Sequence, residues 1–311
     1  MEQRICCVCH KAVDEDAKTL GGRCYCEEHY VKVTHERKGV WRSGIAEIVA
    51  VLLFVVLVEV IITLAKPTLT GTPLLLTGIA MALVPAAIWM IFFYRQDRLE
   101  PEPKVYVLEV FLLGALLASA LGIPLVRDLF RVQDWLAQST LTNVLGSILV
   151  IGFVQEFLKY AAVRYSIYLS TEFDERVDGV VYGTAAGLGF AAMLNVHYVV
   201  SNAGVDLRMG MIRIAVTTLA QASFAGISGY FLGRAKFEEE PVWWLPLGVT
   251  IAAVLNGLFT FVRGEVTRVG LTVNPWNGLI LATVVAVLTF IALYYLMRRA
   301  NKITLAQAQG A

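Results

Sequence analysis

The chain has 311 residues, of which 57% are hydrophobic and 16% are charged, and its mean hydropathy is +0.65. This composition lies outside the range of soluble globular proteins and makes the lipid bilayer the expected solvent and membrane lipids the expected surroundings. The net charge of +1 provides no overall basic field, so a nucleic-acid partner is not expected.

The N-terminal segment is polar and carries all of the cysteines. The five cysteines lie between Cys6 and Cys26, and none occurs in the rest of the chain. Clustered cysteines without a disulfide framework are typical of a metal site in a reducing compartment. The polar start also lacks the pattern of a cleavable signal peptide. We therefore expect a small cytoplasmic, zinc-finger-like knob at residues 1–40.

Two pairs of soft ligands, Cys-x2-Cys and, sixteen residues later, Cys-x2-His, suit a tetrahedral zinc. The predicted ligands are Cys6, Cys9, Cys26 and His29. Three neighbours are alternative ligands, namely Cys7, His10 and Cys24. The stretch GGRCYCEEHYVK resembles the closing half of a LIM-type zinc finger. Four protein ligands leave no open position, so the zinc would be structural, and the alternative is a set of metal-free thiols.

Eight apolar stretches are long enough to cross the hydrocarbon core, which takes roughly 20 residues. The predicted spans are approximately residues 44–65, 72–94, 105–125, 141–166, 177–200, 209–233, 242–262 and 275–297. We therefore expect an all-α membrane protein, with a multi-pass domain at 41–300 and a tail at 301–311. Spans four to six are rich in Gly, Ala and Ser, which favours close packing at the centre.

Lys and Arg are distributed unevenly between the two sides of these spans. Counted from Lys32 onward, fourteen lie on the side of the N-terminal segment, and six lie on the other side. The positive-inside rule and the even number of spans then place both termini in the cytoplasm. On the opposite side, residues 126–140 are predicted to form an interfacial amphipathic helix, with an ordinary loop as the alternative.

Several polar side chains fall inside the predicted spans, where burial is costly and each is a functional hypothesis. Glu156 and Lys159 are three residues apart, so they share a helix face and can neutralise one another. The others are Gln155 beside this pair, Asn195 and His197 in the fifth span, Arg213 and Gln221 in the sixth, and Asn256 in the seventh. A structural role in helix packing is the alternative for each of them.

A series of motifs runs through the membrane part. DRLEPEP precedes the third span, QEFLKY lies in the fourth, FDERVDGVVYG enters the fifth, GYFLGRAKF leaves the sixth and NGLFTF lies in the seventh. In this order and spacing the chain resembles the PrsW family of intramembrane proteases, which is related to the CAAX-prenyl proteases of the same membrane fold. The resemblance implies an intramembrane site where Glu and His side chains activate water for peptide-bond cleavage, with either a metal or the glutamates as the agent.

The chain departs from the family pattern at most of the reactive positions. Gln155 and Leu194 stand where the family has Glu, Gln221 and Asn256 where it has His, and Thr260 where it has Asp. Glu156, Lys159, Phe190 and Asn195 are retained. An amide cannot act as a carboxylate base and is a poor zinc ligand beside His. Zinc hydrolysis normally uses three strong protein ligands and a water.

We therefore expect a pseudoprotease that binds a membrane protein or peptide partner in the former cleft. The predicted site positions are Gln155, Glu156, Lys159, Asn195, His197, Gln221 and Asn256. One alternative is an active protease with a rewired site, in which His197 joins Glu156 around a second metal. Another is a transporter or lipid-binding protein in which Glu156, Lys159 and Arg213 line a polar path.

Overall fold

The computed structural model of the chain describes residues 4–14, 16–20, 23–34, 40–65, 70–97, 100–201, 207–265 and 275–310. Among these residues, eight helices are long and apolar enough to cross a membrane. They are Ile45–Leu64, Gly71–Tyr94, Lys104–Gln138, Thr140–Ser166, Asp178–Ser201, Gly210–Phe237, Trp244–Arg263 and Ile280–Gln309. The predicted all-α architecture of about eight spans is confirmed.

The knob contains two short strands, β1 (Thr19–Leu20) and β2 (Arg23–Cys24), which pair antiparallel. In chain order the α-helices are α1 (Glu27–Thr34), α2 (Val40–Ala65), α3 (Gly71–Tyr94), α4 (Lys104–Leu117), α5 (Val132–Trp135), α6 (Thr140–Gly146), α7 (Phe153–Ser166), α8 (Asp178–Ser201), α9 (Leu207–Phe237), α10 (Trp244–Glu265) and α11 (Pro275–Gly310). A π-helical turn at Ser147–Gly152 joins α6 to α7 in one span.

The third span runs further than the sequence predicted. Helix α4 continues through π-helical turns to Leu129, and the chain then bends at Arg131, whose φ of 47° is left-handed. The short helix α5 follows this bend. Residues 126–140 are therefore not one separate interfacial helix, because their first part is the end of the third span. Residues 301–310, expected to be a tail, continue helix α11.

Helices α8 and α9 form the centre of the bundle, since most of each span is buried inside the protein. They approach closely at glycines four residues apart on α8. A Cβ at Gly183 would lie 2.6 Å from the carbonyl oxygen of Ala225, and one at Gly187 would lie 2.5 Å from that of Gln221. Only residues without side chains allow helix backbones to come this close. The predicted central packing of the small-residue spans holds for these two helices.

The knob packs against the C-terminal helix. Its buried residues Leu20, Tyr25 and Val33 form a small apolar cluster, and Leu305 and Ala308 of α11 pack against them. The N-terminal knob and the end of α11 therefore lie at the same end of the helix bundle.

Candidate functional site

An intramembrane site is assembled where α7 lies against α10. A Cβ at Gly152, just before α7, would lie 3.2 Å from the backbone nitrogen of Gly257 and would collide with the carbonyl of Ala253. The absence of a side chain at Gly152 therefore lets the two helices touch. This contact brings Glu156, in the first turn of α7, against Asn256 in the middle of α10.

Glu156 and Lys159 form the ion pair expected from their spacing, and both side chains are fully buried. Lys159 Nζ donates to Glu156 Oε1 and also to Gln221 Oε1, at 2.6 Å. The ammonium lies 5.5 Å from the centre of the Phe190 ring, where the negative face of the ring attracts it. A buried pair is tolerated when such additional contacts satisfy its remaining donors and acceptors.

Three buried amides complete this intramembrane cluster of Gln155, Glu156, Lys159, Gln221 and Asn256. Asn256 Nδ2 donates to Glu156 Oε1 at 2.7 Å and to Gln155 Oε1 at 3.0 Å. Gln221 Nε2 donates to Gln155 Oε1 and to Asn256 Oδ1, each at 3.2 Å. One oxygen, Glu156 Oε2, is buried without a hydrogen-bond partner among the described residues.

Asn195 and His197 lie outside the intramembrane cluster. Asn195 is buried, and its Nδ2 donates to Thr218 Oγ1 of α9 at 3.0 Å. His197 is half-buried, and its Nε2 lies 3.4 Å from Ser201 Oγ. No hydrogen bond between described residues joins either side chain to Glu156. The rewired arrangement in which His197 joins Glu156 therefore has no hydrogen bond to support it among the described residues.

The remaining positions singled out in the sequence add no acid or base to the cluster. Leu194 packs into an apolar cluster around α8, and Thr260 is half-buried one turn after Asn256. The Arg213 guanidinium stacks over the Tyr198 ring, 3.5 Å from its centre. Arg213 precedes Gln221 by eight residues, or about 12 Å along the helix axis, so it is not part of the cluster.

The donor set of the intramembrane cluster does not fit a catalytic zinc. Such a zinc needs three strong protein ligands and an open position. The cluster offers one carboxylate, Glu156, already bonded to the Lys159 ammonium, and otherwise amides. No three His, Cys, Asp or Glu ligand atoms come together there in the described part of the chain. The buried ammonium would also repel a metal cation.

A second cluster lies in the knob, where one ligand atom from each of Cys6, Cys9, Cys26 and His29 lies within 4.8 Å of the others. His29 Nδ1 is 2.9 Å from Cys26 Sγ and 3.8 Å from Cys6 Sγ. A tetrahedral zinc with Zn–S bonds of about 2.3 Å places its ligand atoms about 3.8 Å apart. The donor set fits a structural zinc, and the Cys6–His29 distance matches this separation, whereas Cys26 and His29 lie closer together than two ligands of one zinc.

Local backbone structure brings these ligands together. The turn after Cys6 closes with a 2.9 Å hydrogen bond from His10 N to Cys6 O, and His10 has a left-handed φ of 55°. Cys26 directly precedes α1, and His29 lies in the first turn of that helix. Each pair thus comes from one tight turn, as chelation requires.

Cys6 and the neighbouring Cys7 differ in the pKa of their thiols. Burial raises the pKa of the Cys6 thiol, but backbone N–H groups, first that of Cys26, outweigh it and bring the pKa down to about 6. The thiolate is the form that binds metal. Burial raises the pKa of Cys7 to about 11. None of the three alternative ligands belongs to the described Cys/His cluster, namely Cys7, His10 and Cys24.

A third cluster was not predicted from the sequence. Asp97, Glu175 and Asp178 are buried, and one carboxylate oxygen from each lies within 4.8 Å of the others. These residues belong to DRLEPEP and FDERVDG, which served above only to support the resemblance. The sequence did contain a signal for this cluster, because acidic residues stand immediately next to two apolar spans. Charged residues buried at a membrane boundary usually have a structural or chemical role.

Comparisons with known proteins find relatives of the membrane part of the chain. A family model described as PrsW family intramembrane metalloprotease matches residues 102–297, which excludes the knob. The protease PrsW of Halalkalibacterium halodurans is 31% identical over 179 residues, covering 57% of this chain and 79% of the relative. The protease PrsW of Bacillus subtilis is 29% identical over 186 residues, covering 59% and 81%. That of Oceanobacillus iheyensis is 25% identical over 235 residues, covering 74% and 99%. No solved structure matches at a significant level.

Proposed function

The chain belongs to the PrsW family of intramembrane metalloproteases, and we propose that it is a member that binds a membrane protein or peptide at the family site without hydrolysing it. The observation that carries the proposal is the chemistry of the intramembrane cluster. Its single carboxylate, Glu156, is paired with Lys159, and amides surround the pair. Apart from Lys159, which is held in this ion pair, the described residues of the cluster supply no second acid or base to complete a hydrolytic mechanism.

Binding without hydrolysis fits the same residues. A general base must accept a proton from water, and neither an amide nor a carboxylate held by an ammonium does so efficiently. Amide side chains do offer one donor and one acceptor group to a peptide backbone. Gln221 and Asn256 bond to each other at 3.2 Å, and each can exchange this bond for one to a bound peptide.

An active protease is the second candidate, and one atom favours it. Glu156 Oε2 has no hydrogen-bond partner among the described residues, so this oxygen is free to accept a proton from a water molecule. The curated relatives carry the name protease PrsW. In this candidate Glu156 acts alone as the base, and His197 takes no part.

Cleavage of single-span model substrates, co-expressed with the full chain, separates the two candidates. We expect no cleavage by the wild-type protein or by Glu156→Gln. A restored variant, Gln155→Glu with Gln221→His and Asn256→His, replaces the amides with the groups that the family resemblance implies, and we expect it to gain cleavage. Cleavage by the wild-type protein that disappears in Glu156→Gln would overturn the non-hydrolytic proposal and establish the second candidate.

Substrate binding is measured in the same cells by co-purification. We expect a single-span substrate to remain bound to the wild-type protein and to be released by Gln221→Leu, which removes the amide from the cluster. The control is Thr250→Ala, because Thr250 is a polar residue on α10 whose hydrogen bond within the described part of the chain is to the Pro246 carbonyl of its own helix, at 2.8 Å. Absence of co-purification with the wild-type protein would contradict retained binding.

We further propose that the knob, residues 1–40, is a LIM-like module that binds one structural zinc through Cys6, Cys9, Cys26 and His29. The Cys/His donor set and its spacing support this assignment. The knob and the end of α11 lie on the same side, and the excess of Lys and Arg there supports a cytoplasmic location for both termini. Reporter fusions at the two ends test this orientation, and a periplasmic or extracellular signal from either end would contradict it.

A further inference from the structure

Four buried carboxylates meet at the knob end of the bundle, where the segment before α4 faces the segment before α8. They are Asp97, Glu102, Glu175 and Asp178, none more than 5% exposed, and they are called here the acidic cluster. One oxygen from each of Asp97, Glu175 and Asp178 lies within 4.8 Å of the others. Glu102 is the fourth member, since its hydrogen bond to Tyr182 holds it beside the first turns of α8.

Backbone N–H groups hold two of the carboxylates by one oxygen each. Asp97 Oδ2 accepts the backbone N–H of Glu102 at 2.8 Å. Asp178 Oδ2 accepts the backbone N–H groups of Asp174 and Glu175, at 2.8 and 2.5 Å. These bonds fix the orientation of each carboxylate and use only one of its two oxygens.

Side chains hold the other two carboxylates in the same way. Glu102 Oε2 accepts the hydroxyl of Tyr182 at 2.6 Å. Glu175 Oε1 accepts from Arg23 Nη1 of the knob at 2.7 Å. Among the described residues, Arg23 is the side-chain cation that bonds to the acidic cluster. Its guanidinium also pairs with the carboxylates of Glu100 and Asp174.

The second oxygen of every member is buried and has no hydrogen-bond partner among the described residues. These atoms are Asp97 Oδ1, Glu102 Oε1, Glu175 Oε2 and Asp178 Oδ1. Burial, reinforced by the neighbouring carboxylates, raises the pKa of Asp97 and of Glu175 well above the ordinary range. Burial also raises the pKa of Glu102 to about 8. Four buried carboxylate oxygens therefore lack a donor among the described residues, and either protons or a bound cation must compensate them.

We propose that the acidic cluster binds one hard divalent cation of the Mg²⁺, Ca²⁺ or Mn²⁺ class, with Asp97, Glu175 and Asp178 as ligands and Glu102 as a fourth carboxylate donor. All of the donors are oxygens, which hard cations prefer, whereas zinc in proteins favours nitrogen and sulfur. The two metal sites of the chain would therefore select different ions.

A cavity provides the route to this site. It has a volume of about 390 Å³ and lies between the knob and the segment before α4, with Glu102 in its wall. Glu100, Glu172 and Asp174 also line it. Among the described residues, Lys104 is the one lysine or arginine in this wall, and the acidic side chains outnumber it. Acidic walls raise the local concentration of cations, and Glu102 is the member of the acidic cluster that the cavity reaches.

The bound cation would fasten the start of α4 to the start of the central helix α8. Asp97 and Glu102 belong to the first segment, and Glu175 and Asp178 belong to the second. This role depends on the fold alone, so it holds whether or not the intramembrane cluster hydrolyses a substrate.

Manganese binding to the full-length protein in detergent tests the proposal. The protein keeps its knob zinc, is stripped of weakly held divalent ions, and is titrated with Mn²⁺ while free Mn²⁺ is followed by electron paramagnetic resonance. We expect one Mn²⁺ per chain, with weaker binding in Asp97→Asn and in Glu102→Gln. Mutation of a residue that only supports a metal ligand already lowers affinity by roughly 10- to 100-fold, so loss of a ligating carboxylate should cost at least as much. Glu172→Gln is the matched control, because Glu172 lines the same cavity outside the cluster, and its affinity should equal that of the wild-type protein.

Each outcome of the Mn²⁺ titrations either supports or overturns the proposed cation site in the acidic cluster. A wild-type protein that binds no Mn²⁺ would show that protons neutralise the cluster and would overturn the inference. Equal weakening by Glu172→Gln would assign binding to the acidic cavity as a whole and would also overturn it. Retention of the Mn²⁺ site in Cys9→Ser supports the inference, because it separates this site from the knob. If Asp97→Asn does not fold, the wild-type titration and Glu102→Gln still decide.

Discussion

The buried Glu156–Lys159 pair provides a quantitative test of the intramembrane cluster. Removal of one partner from a buried ion pair typically costs about 3–5 kcal/mol, because the remaining charge is left uncompensated. In Glu156→Gln, Lys159 keeps Gln221 Oε1 at 2.6 Å and the Phe190 ring at 5.5 Å, so we expect the lower end of this range. In Lys159→Met, Glu156 stays charged and keeps only the Asn256 amide as a hydrogen-bond donor among the described residues. We therefore expect a loss of stability at the upper end of this range.

These free energies correspond to measurable changes in melting temperature. At about 2 °C per kcal/mol for a large domain, the single variants should melt about 6–10 °C below the wild-type protein. The double variant Glu156→Gln with Lys159→Met leaves no uncompensated charge, and neutral replacement of a buried pair costs little. We expect the double variant to lie within about 2 kcal/mol of the wild-type protein, so the two substitutions are strongly coupled.

Thermal unfolding in one detergent checks all variants together. Glu109→Gln is the control, because Glu109 is an exposed carboxylate on the membrane helix α4, and its melting temperature should not fall. Wild-type melting temperatures for both single variants, or a double variant less stable than either single one, would refute the assignment of a buried, mutually neutralising pair.

The remaining predictions concern helix packing, zinc and the knob contact. Gly183→Leu should prevent the close approach of α8 and α9 and lower the melting temperature by about 6 °C or more, or abolish folding, which is roughly the effect of 3 kcal/mol or more of overpacking. Gly210→Ala, with its nearest contact at 3.5 Å, should melt like the wild-type protein. Cys9→Ser should remove the zinc measured by elemental analysis of the full-length protein, and Cys24→Ser should keep it; the reverse pattern would refute the ligand set. Arg23→Ala should lower the melting temperature, and Arg23→Lys should restore only part of it, because three separate nitrogens of Arg23 pair with three carboxylates; full restoration by Lys would show that charge alone matters.

The membrane architecture could be predicted from the sequence because bilayer thickness sets the length of each apolar stretch. The first span, predicted at 44–65, is found at Ile45–Leu64. The third span was predicted too short because Arg127 and Asp128 lower the local hydropathy, although the helix continues past them as a π-helical turn. The hydropathy of a segment indicates whether it lies in lipid or in water, but it does not indicate where the helix ends.

The intramembrane cluster was only partly accessible from local sequence. The Glu156–Lys159 contact follows from a spacing of three residues on one helix. The contacts with Gln221 and Asn256 join three different helices, and no periodicity predicts them, so they depended on the family resemblance. His197 was expected to join Glu156, and its side-chain contact in the described residues is with Ser201 on its own helix.

The acidic cluster could not be predicted because it depends on loop geometry. Its members come from two segments that are more than 70 residues apart in the chain, and Arg23 reaches it from the knob. Composition indicated only that acidic residues flank apolar spans. The packing of the two loops determines that these residues face one another.

The polar side of α7 has a consequence for the synthesis of the protein. The fourth span has a mean hydropathy of 1.6, against 3.0 for the first. A charged residue at the middle of a helix makes insertion of that helix into the bilayer less favourable by about 2.5–3.5 kcal/mol. Asn256, which bonds to Glu156, follows it by 100 residues, or about 5–20 s of translation at 5–20 residues per second. During that interval the nascent fourth helix has no lipid-compatible partner for Glu156 beyond Lys159. The fourth helix therefore enters the membrane with Glu156 neutralised by Lys159 alone, and the contacts from the sixth and seventh helices are added only after those helices are synthesised.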